Sequence, residues 1–313
     1  MKARCINTYH CEGYVYDVSK LKSKVTGPNS KNPGTPFIQG EMQVATDEEC
    51  TNIVTLHFSY ITPTFKNGKE NTTFTLLSQL VADNSPYFTV MNGGKDKALK
   101  IRVDGSVDVN TFWDKDDQQV DAKRLEGKFV HATTELIEDP KERNKFTCDM
   151  VITGMRRVEA DPEKELPEKG YIKGAIFDFR NALLPVEFAV VDPRAIDYFE
   201  NLDVSASDPV FTKIAGQVVS TTIVRTYTEE SAFGDPDVRT VTSSRKDWIC
   251  NWATGEPYVF GETDTITADE LKKAIADREI FVAAEKQRTN EWRANQNGGS
   301  SAFDATPQGE FKF

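Results

Sequence analysis

The chain has 313 residues, a formal net charge of -11 at pH 7, and apolar and charged fractions of 38% and 28%. This length allows two domains with separate hydrophobic cores, and the composition is ordinary for a folded globular protein. No apolar run approaches the ~18 residues that a membrane helix needs, and the first residues lack the apolar centre of a signal peptide. We therefore expect a cytoplasmic protein.

Cysteine usage also indicates a reducing compartment. The five cysteines form no Cys-x-x-Cys pair, and Cys148 and Cys250 stand inside apolar strand patterns. We expect reduced thiols, two of them in cores. Cys5, His10 and Cys11 are close in sequence, but this group lacks a second half at the spacing of a zinc site. We therefore predict no metal and no other cofactor.

Strand patterns dominate the first half of the chain, with one short helix among them. Apolar residues alternate in the segments 13–18, 37–44 and 53–61, which is typical of half-buried strands. The spacing becomes helical over 73–82, and strand patterns return between residues 99 and 152. This element order resembles that of the oligonucleotide-binding (OB) fold, a five-stranded barrel with a helix between its third and fourth strands.

The second half begins after a charged segment that proline interrupts twice, a pattern typical of a linker. Two strand patterns then precede a helix that Asp192 caps and Pro193 begins. A long β-hairpin is predicted over 211–252. Because a helix follows the second strand, this order departs from the OB pattern. We expect a β-barrel here, and whether it is a second OB-fold stays open.

A capping box at 267–270 begins the last predicted helix, which runs to about residue 290 and packs through Leu271, Ile275 and Val282. We predict a mainly β protein, divided as follows. The parts are an OB-fold-like barrel domain at 1–158, a linker at 159–169, a second β-rich, barrel-like domain with a long hairpin and C-terminal helix at 170–294, and a disordered tail at 295–313.

The sequence carries none of the common catalytic motifs. It contains no phosphate-binding loop, no dinucleotide fingerprint, no HExxH and no GxSxG. The three histidines form no cluster, which disfavours a general-base site. The carboxylates of Asp114, Asp116 and Asp117 are more typical of a solvated loop than of a cation site. We predict that the protein is not an enzyme.

The best candidate for a binding site lies between the first two predicted strands. Residues 19–36 contain four lysines and no acidic residue, in a chain that is acidic overall. In OB-folds this loop flanks the oligonucleotide groove, where lysines meet phosphates and aromatic rings stack on bases. Phe58 and Tyr60 share the apolar face of their strand and are expected in the core. The candidate nucleic-acid-binding residues of this half are Lys20, Lys22, Lys24, Lys31, Phe37, Phe65, Lys66 and Lys69.

The long hairpin supplies further candidates. It combines arginines with aromatic residues, and an extended arm of this kind could clamp a nucleic-acid strand. The even spacing of Trp248 and Trp252 predicts that they share one strand face, where filling a barrel core is an open alternative. The candidates on the hairpin are Arg225, Tyr227, Arg245 and Trp248.

The end of the chain is polar and finishes in aromatic and acidic residues, with Phe303, Asp304, Phe311 and Phe313 as a candidate partner-binding tail. It resembles the tails of bacterial and phage single-stranded DNA-binding proteins, which recruit replication partners. The resemblance implies a non-catalytic protein that binds single-stranded DNA, or RNA, in replication or recombination of a phage or prophage. The residues leave open an alternative, a virion structural or assembly protein that forms a homo-oligomer.

Overall fold

A computed structural model describes residues 5–160, 167–229, 237–262 and 265–297, and it leaves the side chains of 221–229, 237–244, 296 and 297 outside the description. The protein is mainly β, as predicted. The described strands are β1 (Asn7–Asp17), β2 (Leu21–Val25), β3 (Pro36–Ala45), β4 (Ile53–Ile61), β5 (Lys100–Trp113), β6 (Gln119–Ala132), β7 (Asn144–Val158), β8 (Lys169–Phe177), β9 (Leu183–Val190), β10 (Val210–Glu229) and β11 (Asp237–Ala253). The described α-helices are α1 (Thr72–Leu80), α2 (Val90–Gly93), α3 (Pro193–Asn201) and α4 (Ala268–Asn297).

Five strands close the first barrel. β1 pairs with β3 and β5, β3 pairs with β4, and β5 pairs with β6, all antiparallel. A short parallel contact between β4 and β6 completes the circuit. α1 lies between β4 and β5 in sequence and buries Leu76, Leu77 and Leu80. This pairing and helix position are those of an OB-fold, and they confirm the predicted first barrel.

The second barrel repeats the same circuit. β7 pairs with β8 and β10, β8 with β9, and β10 with β11, again antiparallel. β9 and β11 meet in parallel, and α3 lies between the third and fourth strands. The second barrel is therefore also an OB-fold by topology, which answers the question that the predicted element order left open.

The strand β7 belongs to the second barrel, although the sequence pattern assigns it to the first domain. It stands before the predicted linker, so the pattern assigns it to the first domain, whereas its pairing with β8 and β10 makes it the first strand of the second barrel. If β7 is left out, the second barrel begins at β8, and α3 then follows its second strand instead of its third. The boundary at 159–169 thus falls between the first two strands of the second barrel, and residues 161–166 within it lie outside the described residues.

The two barrels are related by an internal two-fold axis. β1 and β7, the first strands of the two circuits, pair antiparallel, with Tyr9 opposite Phe146. These two residues are also equivalent positions of the repeat, because Tyr9 pairs with Gly105 and Phe146 pairs with Gly216 at corresponding irregularities of the fourth strands. The pseudo-two-fold axis therefore passes between Tyr9 and Phe146.

One hydrophobic core extends through both barrels. Buried side chains of the two circuits belong to one contiguous cluster, which includes Cys11 and Cys148 near the axis and Cys250 on β11. The burial of Cys148 and Cys250 confirms the prediction of two core thiols. No described helix is long and apolar enough to cross a membrane.

Three local predictions are wrong in detail. The lysine-rich segment is not simply a loop, because β2 forms within it and pairs with the start of β3. α4 continues to residue 297, and Ile275 is 44% exposed while Leu271 and Ala274 pack against the second barrel. Trp252 does not share a face with Trp248, because a register irregularity near residue 251 separates them.

Candidate functional site

The outer side of β3 and β4 is the first surface to consider, because the second and third strands of an OB-fold commonly contact oligonucleotides. Met42 and Leu56 are buried, whereas Glu41 and His57, which are paired across the two strands, point outward. We call this outer side the first-barrel face. The flanking loops of such a face complete a binding surface in OB-folds.

The β2–β3 hairpin extends the first-barrel face and carries the predicted lysines. Lys20 forms an ion pair with Glu41 at 3.2 Å, and the Lys22 ammonium donates to a backbone carbonyl at 3.0 Å. Lys24 is half-buried and Lys31 is exposed, and neither has an ion-pair partner among the described residues. The hairpin therefore holds two ammonium groups that remain available to an anion.

The β10–β11 hairpin, which we call the arm, reaches the first-barrel face from the second barrel. Asn52 of the first barrel forms two hydrogen bonds with the arm. Its side-chain amide donates to the Val218 carbonyl at 3.4 Å and accepts from the Ser220 N–H at 2.8 Å. Lys246 on the arm donates to the Thr55 hydroxyl at 2.6 Å. A lysine of the second barrel thus stands on the face of the first.

The first barrel makes the equivalent contact on the second. In the register of the repeat, Lys123 on β6 corresponds to Lys246, and Glu187 on β9 corresponds to Thr55. The Lys123 ammonium donates to the Glu187 carbonyl and lies within 5.5 Å of the centroids of two aromatic rings. Burial lowers the pKa of Lys123 to about 8 and also lowers the pKa of Lys246.

Further polar groups cross the first-barrel face. His57 Nδ1 lies 3.8 Å from a Glu41 oxygen, and burial lowers the pKa of His57 although Glu41 opposes the shift. Arg124 is paired with Asp108 at 2.5 Å. Glu126 accepts a backbone N–H of β4 at 3.1 Å, and burial raises the pKa of its carboxyl. We call these side chains the polar strip, and they supply hydrogen-bonding groups beside the β2–β3 hairpin.

Two aromatic pairs flank this strip. Phe37 and Tyr60 lie with ring centroids 4.8 Å apart, and Phe65 and Phe129 with centroids 6.4 Å apart. Phe58 is buried as predicted, but Tyr60 is 42% exposed, because the inward alternation of β4 ends at Phe58. Phe65 is 40% exposed, in agreement with the expectation that it lies outside the core.

The turn between β4 and α1 carries the other first-half candidates. The Phe65 N–H donates to the Lys69 carbonyl at 2.8 Å, so Phe65, Lys66 and Lys69 share one tight turn. Lys66 and Lys69 are both exposed. The turn places these two lysines next to the exposed Phe65 ring.

The candidates of the second half do not form one group. Arg225 and Tyr227 lie on β10 within the arm, and their side chains are outside the description. Arg245 is paired with Asp247 at 3.0 Å. Trp248 packs against two core phenylalanines, with centroids 6.1 and 6.3 Å away, so its indole contributes to the core. The tail residues Phe303, Asp304, Phe311 and Phe313 lie outside the described residues.

The corresponding face of the second barrel has a different charge arrangement. Arg156 stacks over the Tyr171 ring at 3.9 Å and pairs with Glu187 at 3.1 Å. Arg157 pairs with Glu168 and also contacts carboxylates of α3. Carboxylates hold these two arginines, whereas the β2–β3 hairpin has lysines without such partners. The first-barrel face is therefore the better anion-binding surface.

The described residues hold no group of three or more His, Cys, Asp or Glu side chains placed to bind a metal ion. The arrangement of the first-barrel face offers ammonium groups, aromatic rings and hydrogen-bonding strand edges. Such groups bind a flexible, anionic polymer with aromatic bases. The fold and this surface define a protein with two OB-folds joined edge to edge.

A family model described as YorF matches residues 6–288, and the chain belongs to this family. No curated protein sequence matches the chain. The crystal structure of a deletion mutant of the single-stranded DNA-binding protein from Thermus aquaticus is similar in fold, with a TM-score of 0.45 and 8% identity, over 83% of this chain and 98% of that chain. A similarity of this size does not by itself assign a ligand to this chain.

Sequence reasoning missed the contact between the barrels and the lysines Lys123 and Lys246. One signal was present: Asn144, Phe146 and Cys148 repeat the spacing of Asn7, Tyr9 and Cys11. The two asparagines make equivalent hydrogen bonds to the fourth strand of a barrel. Asn7 donates to the Val107 carbonyl, and Asn144 donates to the Val218 carbonyl. This short repeat marks the first strand of each barrel.

Proposed function

We propose that the protein binds single-stranded nucleic acid, without catalysis, on the first-barrel face. The observation that carries the proposal is that one OB-fold face receives lysines from both barrels. Lys246 of the arm contacts β4, and Lys20, Lys24 and Lys31 lie on the β2–β3 hairpin and the turn before it. This is the face that OB-folds commonly use for oligonucleotides. The local cations offset the acidic charge of the whole chain.

The exposed aromatic rings give the surface a preference for unpaired bases. Tyr60 lies against Phe37 at the hairpin end of the face, and Phe65 lies against Phe129. A base that stacks on such a ring must leave a duplex, and each stacked base contributes about 1–3 kcal/mol. Single strands should therefore bind more tightly than duplex DNA of the same length.

The test measures anisotropy of a fluorescent oligonucleotide across a salt series. Lys24 and Lys31 are the two lysines of this segment whose ammonium groups have neither an ion-pair nor a hydrogen-bond partner among the described residues. Replacing both, Lys24→Ala with Lys31→Ala, should weaken binding and flatten the slope of log affinity against log salt by about 1.4, at ~0.7 per phosphate contact. Replacing Lys20 and Lys22 as well should flatten it by up to about 2.8. Lys272→Ala with Lys273→Ala, two exposed lysines on α4, is the matched control and should leave the slope unchanged.

A stacking variant separates ionic from aromatic contacts. Tyr60→Ala or Phe65→Ala should cost about 1–3 kcal/mol of binding with little change of slope, because stacking releases no counterions. If the unaltered protein retards no single-stranded DNA or RNA at ~50 mM salt, a concentration at which ionic contacts are strong, the proposal is wrong. The virion-component alternative would then become the leading one.

A cellular role follows from this proposal. A non-catalytic protein of this kind would protect single strands during replication or recombination, in the cytoplasm of a host if a phage encodes it. The tail would recruit replication proteins through Phe311 and Phe313. A pull-down with the tail peptide and its Phe311→Ala/Phe313→Ala variant tests this partner role separately from nucleic-acid binding.

A further inference from the structure

The pseudo-two-fold axis creates a second surface, on the opposite side of β1 from the core. Six strands, β6, β5, β1, β7, β10 and β11, form one continuous sheet across both barrels. We call its outer side the dyad face. It lies on strands other than β3 and β4, and Phe129 stands at its border with the first-barrel face, beside Phe65.

Two large aromatic side chains protrude at equivalent positions of the dyad face. Phe129 is opposite Asp104 on the fourth strand of the first barrel, and Trp252 is opposite Ala215 on the fourth strand of the second. Phe129 is 47% exposed and Trp252 is 52% exposed. The two barrels have different sequences, yet each presents one ring at the same place.

A concavity lies beside each ring. One is lined by Thr8, His10, Asp104 and Phe129, and the other by Lys213, Ala215, Gln217 and Trp252. Both extend to Lys145 and Thr147 on β7. Each half of the dyad face therefore offers one protruding ring and one recess that could receive a ring.

Charges on the dyad face are matched within it. Arg102 pairs with Asp104 at 3.3 Å, and Lys145 pairs with Glu142 at 3.0 Å. Opposite charges also face each other across the strands at equivalent positions of the repeat: Glu12 is opposite Arg102, and Asp149 is opposite Lys213. Carboxylates thus pair directly with Arg102 and Lys145, and Asp149 lies across the strands from Lys213, which brings the charge of this face close to balance.

We propose that the dyad face is the contact between two copies of this chain. Copies that each carry a net charge of -11 repel one another except where their charge is locally balanced, and the dyad face is such a place. An isologous contact needs a surface complementary to itself. A face with a ring and a recess on each half meets this need, because Trp252 or Phe129 of one copy can enter a recess of the other.

Sedimentation velocity over a range of protein concentrations, without nucleic acid, tests this contact. The unaltered protein should sediment with twice the chain mass of 35.1 kDa. Phe129→Ser with Trp252→Ser should raise the dimer dissociation constant by about 30-fold or more, the effect of removing an aromatic interface anchor. Trp292→Ser on α4, where the indole is 47% exposed, is the matched control and should remain dimeric.

A second variant guards against misfolding of the first. Asn251 is exposed beside Trp252, so Asn251→Glu adds a charge to the face without removing packed atoms, and it should also weaken the dimer. Circular dichroism confirms that each variant is folded. A monomeric unaltered protein, or folded variants of the dyad face that dimerise as before, would overturn the proposal whatever the outcome for nucleic-acid binding.

Discussion

Two lysines connect the barrels at equivalent positions, and partial loss of hydration lowers the pKa of both ammonium groups. Lys123 and Lys246 each stand on the fifth strand of one barrel and contact the third strand of the other. Removing an ammonium group from water disfavours its charged form, which explains the lowered pKa of both side chains. The same two residues therefore join the barrels, and the pKa of each depends on how closely the barrels pack around its ammonium group.

The first prediction concerns Lys123. Its pKa in the folded chain is about 8, below the usual 10.5. Between these values the unfolded chain holds a proton that the folded chain has released, so the free energy of unfolding rises with pH, and this gain is lost as the pH falls through about 8. Relative to Lys123→Met, the unaltered protein should gain up to about 3 kcal/mol from pH 8 to 10.5.

Urea titrations of both proteins at several pH values measure this difference. Lys173→Met is the control, because Lys173 is exposed and its removal should leave the pH dependence of the unaltered protein in place. Parallel pH curves for the unaltered protein and Lys123→Met would show that Lys123 is not buried in solution.

At the scale of elements, a glycine irregularity in the fourth strand shapes each barrel. Gly105 and Gly216 stand where the register with the fifth strand shifts. A side chain at either position would meet a backbone carbonyl, that of Glu126 at 2.0 Å or that of Ile249 at 1.9 Å. Irregularities of this kind bend a strand and increase its twist, which allows β5 and β10 to close a barrel and still extend into long hairpins.

The second prediction follows from this close approach. Gly216→Ala should lower the free energy of unfolding by about 3 kcal/mol, because the added Cβ forces the backbones of β10 and β11 apart. Gly154→Ala is the matched control on β7, where a Cβ meets nothing within 4 Å, and it should change stability by less than about 1 kcal/mol. Urea unfolding of the two variants compares them directly, and equal losses would contradict the role of the irregularity.

On the scale of the whole molecule, α4 brings a segment that is distant in sequence to the first barrel. α4 packs along the hairpin of β5 and β6: Arg278 pairs with Asp121 at 2.7 Å, and Arg293 donates to the Asp114 carbonyl at 2.6 Å. The described helix thus ends beside the loop between the fourth and fifth strands of the first barrel. In OB-folds this loop also borders the oligonucleotide surface.

The third prediction concerns the tail residues 303–313, which lie outside the described residues. Removing residues 303–313 should leave the affinity for single-stranded nucleic acid unchanged or raise it by up to about tenfold, because an acidic tail competes with phosphates for cations. The same anisotropy assay measures the effect. A truncated protein that no longer binds would mean that the tail is part of the binding surface.

How much the sequence determined depends on the range of the interactions. Alternating apolar residues along β4 and the acid-free run of lysines were readable, because they rest on local periodicity and composition. Phe65 was correctly placed outside the core for the same reason. Local patterns also indicated the first OB-fold, since all of its paired strands follow one another within 7–132.

Only the tertiary structure decided where the second barrel begins and what lies on each face. The pairing of β7 with β1, β8 and β10 depends on hydrogen bonds between distant segments. The short repeat on β1 and β7 marks both as first strands, but it does not specify which strands they pair with. The same holds for Lys246 on Thr55, Lys123 on Glu187 and the outward turn of Trp252. The sequence determined which segments form strands, because periodicity is local, and the long-range pairing of those strands decided which side chains meet.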